Sequence, residues 1–153
     1  MRSLHYGRDD GLEKIWFIRY SLTKMASIFT KIINGEIPSF KIYEDESVYA
    51  FLDIYPVQPG HTLIVPKVEV DYFVDVPEPY YSAVFQAAKK IAPALQQATG
   101  CQRVCTKIIW YEVPHFHYHL IPTNTMRDLQ NTSTEAAEKE SLQAIQEKII
   151  SFL

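Results

Sequence analysis

Between residues 115 and 119 the chain reads His-Phe-His-Tyr-His, so three of its five histidines alternate with aromatic residues. In an extended strand, successive side chains point to opposite faces of the sheet. His115, His117 and His119 therefore share one side, spaced ~6.6 Å apart along the backbone. Phe116, Tyr118 and Leu120 share the other and point into a core. Three titratable rings on one face are costly to bury without a purpose, because each loses hydration that some partner must replace.

The rest of the chain provides such a core. At 153 residues it is the length of one domain. Its content, 47% apolar, 22% charged and 13% aromatic, is that of a packed globular protein. The net charge of −3 argues against nucleic-acid binding through a broad basic surface, but leaves room for a pocket that holds one nucleotide. Cys101 and Cys105, with no secretory signal in view, read as reduced thiols of a cytoplasmic protein. No apolar run approaches the ~18 residues of a membrane span.

Residues 1–24 carry five bases against three acids, whereas the remainder is net acidic, and Met25 opens a fresh apolar run. Residues 1–24 read as an N-terminal extension and 25–153 as the domain. The alternative is an ordered segment that covers part of the domain.

Apolar residues at 28, 29, 32 and 33 form a short helical stripe behind Ser27 as N-cap, stopped by Gly35 and Pro38. Lys41 to Glu46 and Ser47 to Ile54 read as two strands around an acidic turn at Asp45. A loop over 55–60 leads into a third strand, His61 to Val65. Tyr80 to Thr99 reads as a long helix with Val84, Ala87, Ala88, Ile91 and Leu95 on one face, a kink at Pro93 and a stop at Gly100. Two more strands follow, Arg103 to Tyr111 and His115 to Ile121. Residues 133–153 form a last helix, capped by Thr132 with Glu135, with Leu142, Ile145, Ile149 and Phe152 inward. This order predicts an α+β domain with a mostly antiparallel sheet.

Three chemistries compete for the histidines. Zinc accepts imidazoles, but Cys101 and Cys105 precede the strand at no recognised zinc spacing. A half-exposed strand could carry them idly, although strict alternation argues otherwise. A neutral imidazole is also a good nucleophile toward phosphorus, and charged neighbours stabilise the phosphoryl oxygens. Asp53, before a loop, is either the cap of a turn or an acceptor for a diol. His61 reads on its own as a turn residue, and Ile28, Phe29, Ile32, Ile54 and Leu63 read as core.

His115-Phe-His-Tyr-His-Leu-Ile121 resembles the motif of the histidine-triad (HIT) family. The stretches Ser27 to Pro38, Phe51 to Pro56 and Pro59 to Lys67 look like that family's opening helix and central strands, so the resemblance runs from about Met25 onward. It implies a HIT-like α+β fold: a five-stranded sheet, one long central helix, and short N-terminal and C-terminal helices. It also implies a homodimer that joins two such sheets. By position, His117 is expected to attack the α-phosphorus and form a nucleotidyl-histidine. His119 is expected to contact phosphate and leaving group. His115 is expected to orient the nucleophile, with His61 behind. Asp53 is expected to accept both ribose hydroxyls, and Ile28, Phe29, Ile32, Ile54 and Leu63 to form the slot for the base.

The chain departs from the family pattern at three places. Two cysteines and a histidine that help bind zinc in many members are here Ser27, Thr30 and Glu69, and hydroxyls are poor zinc ligands, so no metal is expected. Trp110 and Tyr111 stand where Gly and Gln precede the triad elsewhere, followed by Glu112. An upstream Asn has no clear counterpart near Val104. The expected activity is a purine nucleotide phosphoramidase or phosphohydrolase that needs no cofactor. A diadenosine polyphosphate hydrolase is the rival enzyme, and a nucleotide-binding scaffold with little turnover is the rival of another class.

Overall fold

The computed structural model describes residues 26–109, 111–130 and 135–153. The expected extension over 1–24, Trp110 and the Thr132 cap lie outside the described residues. The elements in chain order are α1 (Ile28–Ile33), β1 (Lys41–Glu44), β2 (Val48–Leu52), β3 (Thr62–Pro66), α2 (Tyr80–Thr99), β4 (Arg103–Lys107), β5 (Tyr118–Thr123) and α3 (Lys139–Ile150). Short 3-10 turns sit at Phe73–Asp75 and Met126–Leu129. The sheet order is β1-β2-β3-β5-β4, and every neighbouring pair is antiparallel. This is the expected α+β architecture of a five-stranded antiparallel sheet, with α2 as the long central helix.

Period-2 alternation on β2 and β3 divides two clusters between the faces of the sheet. Val48, Ala50, Leu52 and Ile64 join Leu120 beneath α2, while Tyr49, Phe51, Leu63 and Val65 face α1. The apolar face expected of α2 is buried throughout, with Val84, Ile91 and Leu95 at 0% exposure. Each such side chain contributes about 1.5–3 kcal/mol of transfer free energy. Pro93 falls on the exposed side and the helix runs through it uninterrupted, because the hydrogen bond it deletes is on the solvent face. Gly100 ends the helix at φ 70°, with its N–H bonded to the Gln96 carbonyl.

Several boundaries differ from expectation. The strand expected from His115 begins only at Tyr118. His115 and Phe116 leave the ladder because their backbone N–H groups are taken elsewhere: that of His115 donates to the Val113 carbonyl at 2.8 Å, and that of Phe116 to the Val70 carbonyl. The strand expected to reach Tyr111 ends at Lys107, where its register partner is His119 and β5 is about to run out. The last helix begins at Lys139, not 133. The preceding Ala137 gives its N–H to the Ile54 carbonyl instead of to a helical turn. Phe152, expected inward, is 44% exposed because it follows the Ser151 cap. His61 sits just before β3, not within it. Among the described residues no helix is long and apolar enough to cross a membrane.

Candidate active site

A cavity of about 510 Å³ opens on the α1 side of the sheet. Its apolar wall holds Ile28, Phe29 and Ile32 from α1, Leu63 from β3 and Ile54 from the loop after β2. Ser27 accepts the Thr30 N–H and so starts α1 with its apolar stripe facing the sheet. Ile28 and Ile54 are about half exposed at the mouth, whereas Phe29 and Ile32 are buried. Asp53, His61, His117 and His119 also line the cavity. His115 lies behind the cavity wall, at 1% exposure.

Two hydrogen bonds settle the ring protons. His117 Nδ1 lies 2.7 Å from the His115 carbonyl oxygen, which can only accept, so Nδ1 carries the proton and Nε2 keeps its lone pair. His61 Nδ1 accepts the Val57 N–H at 3.1 Å, so its Nε2 donates to His119 Nδ1 at 2.9 Å. The Ile109 backbone favours the charged form of His119, weakly against burial. Burial pushes all three rings toward the neutral form. His61 falls to about 3, helped by the charge of Lys107, and His119 to about 2, with His61, His117 and Lys107 adding to burial. His117 is also lowered by burial, against the opposing pull of its bond to His115.

Asp53 Oδ1 accepts the Tyr55 N–H at 2.9 Å, so the carboxylate does cap the turn. Oδ2, 3.6 Å from His61 Nδ1, faces a neutral ring and makes no ion pair with it. Burial raises the Asp53 carboxyl, while Tyr55 N–H and Lys107 oppose the rise. Capping uses one of about four lone-pair sites, which leaves acceptors for other hydroxyls. Gly60 makes this loop possible. At φ 86°, a Cβ there would come 3.0 Å from Thr99 Cγ2 at the end of α2.

Two further charges reach the cavity. Lys107, opposite His119 in the β4–β5 register, lines it and acts electrostatically on Asp53, His61 and His119. Sequence reasoning missed Lys107, because only the register places it beside the histidines. Glu112 also lines the cavity, and its charge acts on His117. Tyr111 is fully exposed.

The described residues contain one group close enough to share a metal: Asp53, His61 and His119, whose ligand atoms lie within 4.8 Å. Both nitrogens of His61 are already engaged, so ligation would cost a hydrogen bond. Ser27, Thr30 and Glu69 gather around His115, and there the hydroxyls are spent on the carboxylate and on the ring. Neutral hydroxyls with satisfied hydrogen bonds do not suit zinc.

A family model described as "HIT domain" matches residues 34–126. The adenosine 5'-monophosphoramidase HNT1 of Saccharomyces cerevisiae is 44% identical over 98 residues, 63% of this chain and 62% of that protein. The chain thus spans less than two thirds of that relative. Among solved structures, a Hit-like protein involved in cell-cycle regulation from Bartonella henselae superposes with a TM-score of 0.75 at 32% identity, over 83% of this chain and 96% of that one. A Zn-bound histidine triad family protein from Mycobacterium smegmatis gives 0.70 at 26% identity, over 83% and 95%.

Proposed function

This chain belongs to the HIT family, and we propose on that premise that it is a purine nucleotide phosphoramidase or phosphohydrolase cleaving at the α-phosphate. His117 Nε2 attacks the α-phosphorus. The P–N or P–O bond to the leaving group breaks, and a nucleotidyl-histidine forms. Water then attacks the same phosphorus, restoring the imidazole and releasing a nucleoside monophosphate. Lys107 offsets charge on the phosphoryl oxygens as it builds. His119, neutral and held by His61, presents a ring beside the reacting group. The base lies in the slot of Ile28, Phe29, Ile32, Ile54 and Leu63, and Asp53 accepts the ribose hydroxyls.

The observation that carries this reading is the 2.7 Å bond from His117 Nδ1 to the His115 carbonyl, which puts the ring's lone pair on Nε2, in a side chain that lines the cavity. The activity of the yeast relative supports the phosphoramidate as substrate. Lys107 favours a second reading, in which the leaving group carries further phosphates, as in a diadenosine polyphosphate. The protein acts as a homodimer in which two five-stranded sheets join. Its two free thiols suit a reducing cytoplasm.

The test is AMP release from adenosine 5′-phosphoramidate by wild type and His117→Ala, with and without a chelator. The expected result is chelator-resistant release that the substitution removes. No release from the wild type, with AMP still bound tightly, moves the assignment to a polyphosphate substrate or to a binding protein.

A further inference from the structure

Behind His115, away from the cavity, four side chains from three distant stretches of the chain meet. Glu69 Oε2 accepts the Ser27 backbone N–H at 2.8 Å and the hydroxyl of Thr30. Ser27 Oγ accepts the Thr30 N–H at 3.1 Å and lies 2.9 Å from His115 Nδ1. Thr30 Oγ1 is more distant from that nitrogen, at 3.4 Å.

The protons in this cluster can be counted. The Pro66 carbonyl, 2.8 Å from His115 Nε2, can only accept, so Nε2 carries a proton. In the neutral ring Nδ1 is then bare and needs a donor. Two hydroxyls are near it, each with one proton to give. Glu69 as a carboxylate has no proton and takes that of Thr30. The Ser27 proton is left for His115 Nδ1. With both nitrogens committed, the ring cannot turn over without breaking two buried hydrogen bonds. The backbone of the same residue supplies the carbonyl that holds the proton on His117 Nδ1. Glu69 also anchors the first turn of α1, whose Phe29 ring packs edge-on against His117 at 5.0 Å and His115 at 5.9 Å between centroids.

We propose that Glu69 is a positioning residue for His117: by holding the proton of Thr30 it assigns that of Ser27 to His115, and so fixes the residue whose carbonyl sets the tautomer of His117. The inference rests on reading His117 as the nucleophile. It also gives the positions where zinc-binding relatives carry metal ligands a different task in this chain, carried out by ordered protons.

The test compares wild type, Glu69→Ala and Glu69→Gln by steady-state kinetics and by ¹⁵N NMR of the histidine rings. Wild type is expected to show His115 protonated on Nε2 and His117 on Nδ1. Glu69→Ala is expected to lose about tenfold in kcat with little change in KM, and its His117 ring signals to average between tautomers. Glu69→Gln keeps an oxygen acceptor and is expected to stay within about twofold of wild type, with wild-type ring signals. A Glu69→Ala enzyme with wild-type kcat and ring signals overturns the proposal, as does a Glu69→Gln enzyme as impaired as Glu69→Ala. A wild-type His115 protonated on Nδ1 overturns it whether or not any variant folds. If wild type does not turn over the phosphoramidate, the activity reading fails, while the ring signals still decide the role of Glu69.

Discussion

The two faces of the sheet are made by the same strands and do opposite things. On the α2 side, the side chains of Val48, Ala50, Ile64 and Leu120 are at 0% exposure and pack within the apolar core. On the α1 side, the short helix covers Tyr49, Phe51 and Leu63 and leaves the rest to a cavity rimmed by histidines. The closed face gains free energy from burial. The open face spends some of it, by keeping His61 and His119 almost fully buried and neutral. A pleat two residues in period lets one strand serve both, so stability and chemistry should separate by residue parity.

The largest test of that separation is His117→Ala, expected to lower kcat/KM at least ~10³-fold with only a small change in melting temperature. A variant that melts far below wild type would make His117 part of the support. Ile91→Ala, on the closed face, is expected to do the converse. Denaturant unfolding should show a loss of about 3–4 kcal/mol, with kcat per folded molecule unchanged.

Acid should act through the open face. His61 and His119 titrate near 3 and 2 in the folded protein and near 6.5 when unfolded. Below 6.5 the unfolded chain takes up protons the folded one refuses, so stability falls as pH falls. Between pH 6.5 and 5.5 the pair should cost about 2 kcal/mol. A His119→Gln variant should lose about half of that slope. An unchanged slope would assign the acid response to other groups.

Smaller effects sharpen the map of the cavity. Asp53→Ala is expected to raise KM about tenfold for ribose-bearing substrates, the size of one lost charged hydrogen bond, and to leave a ribose-free analogue unaffected. Equal effects on both would reduce Asp53 to the turn cap it also is. Lys107→Ala is expected to raise KM about threefold for the phosphoramidate, as expected for a half-buried charge near phosphate, and more for a polyphosphate. The reverse order would remove Lys107 from the leaving-group side.

What could be read from the chain follows from what is local. The bounds of α2, Tyr80 to Thr99, are written in a periodic face and a glycine that can take positive φ. The apolar wall and the histidines that meet at the cavity belong to short motifs with internal spacing. The start of β5 was not legible, because Phe116 gives its backbone N–H to the Val70 carbonyl, from a distant stretch of the chain, and His115 turns its own back on Val113. Lys107 joins the cavity through register, and Glu69 reaches Ser27 across 42 residues. Each of these depends on how distant segments meet, which no local pattern encodes.

The most direct measurement is covalent capture. Wild type and His117→Ala are quenched during turnover of adenosine 5′-phosphoramidate labelled at the α-phosphorus, and the label is located by peptide mass spectrometry. The account predicts one nucleotidyl group on His117 in the wild type and none in the variant. Turnover without a captured nucleotide, or capture that survives His117→Ala, would contradict it.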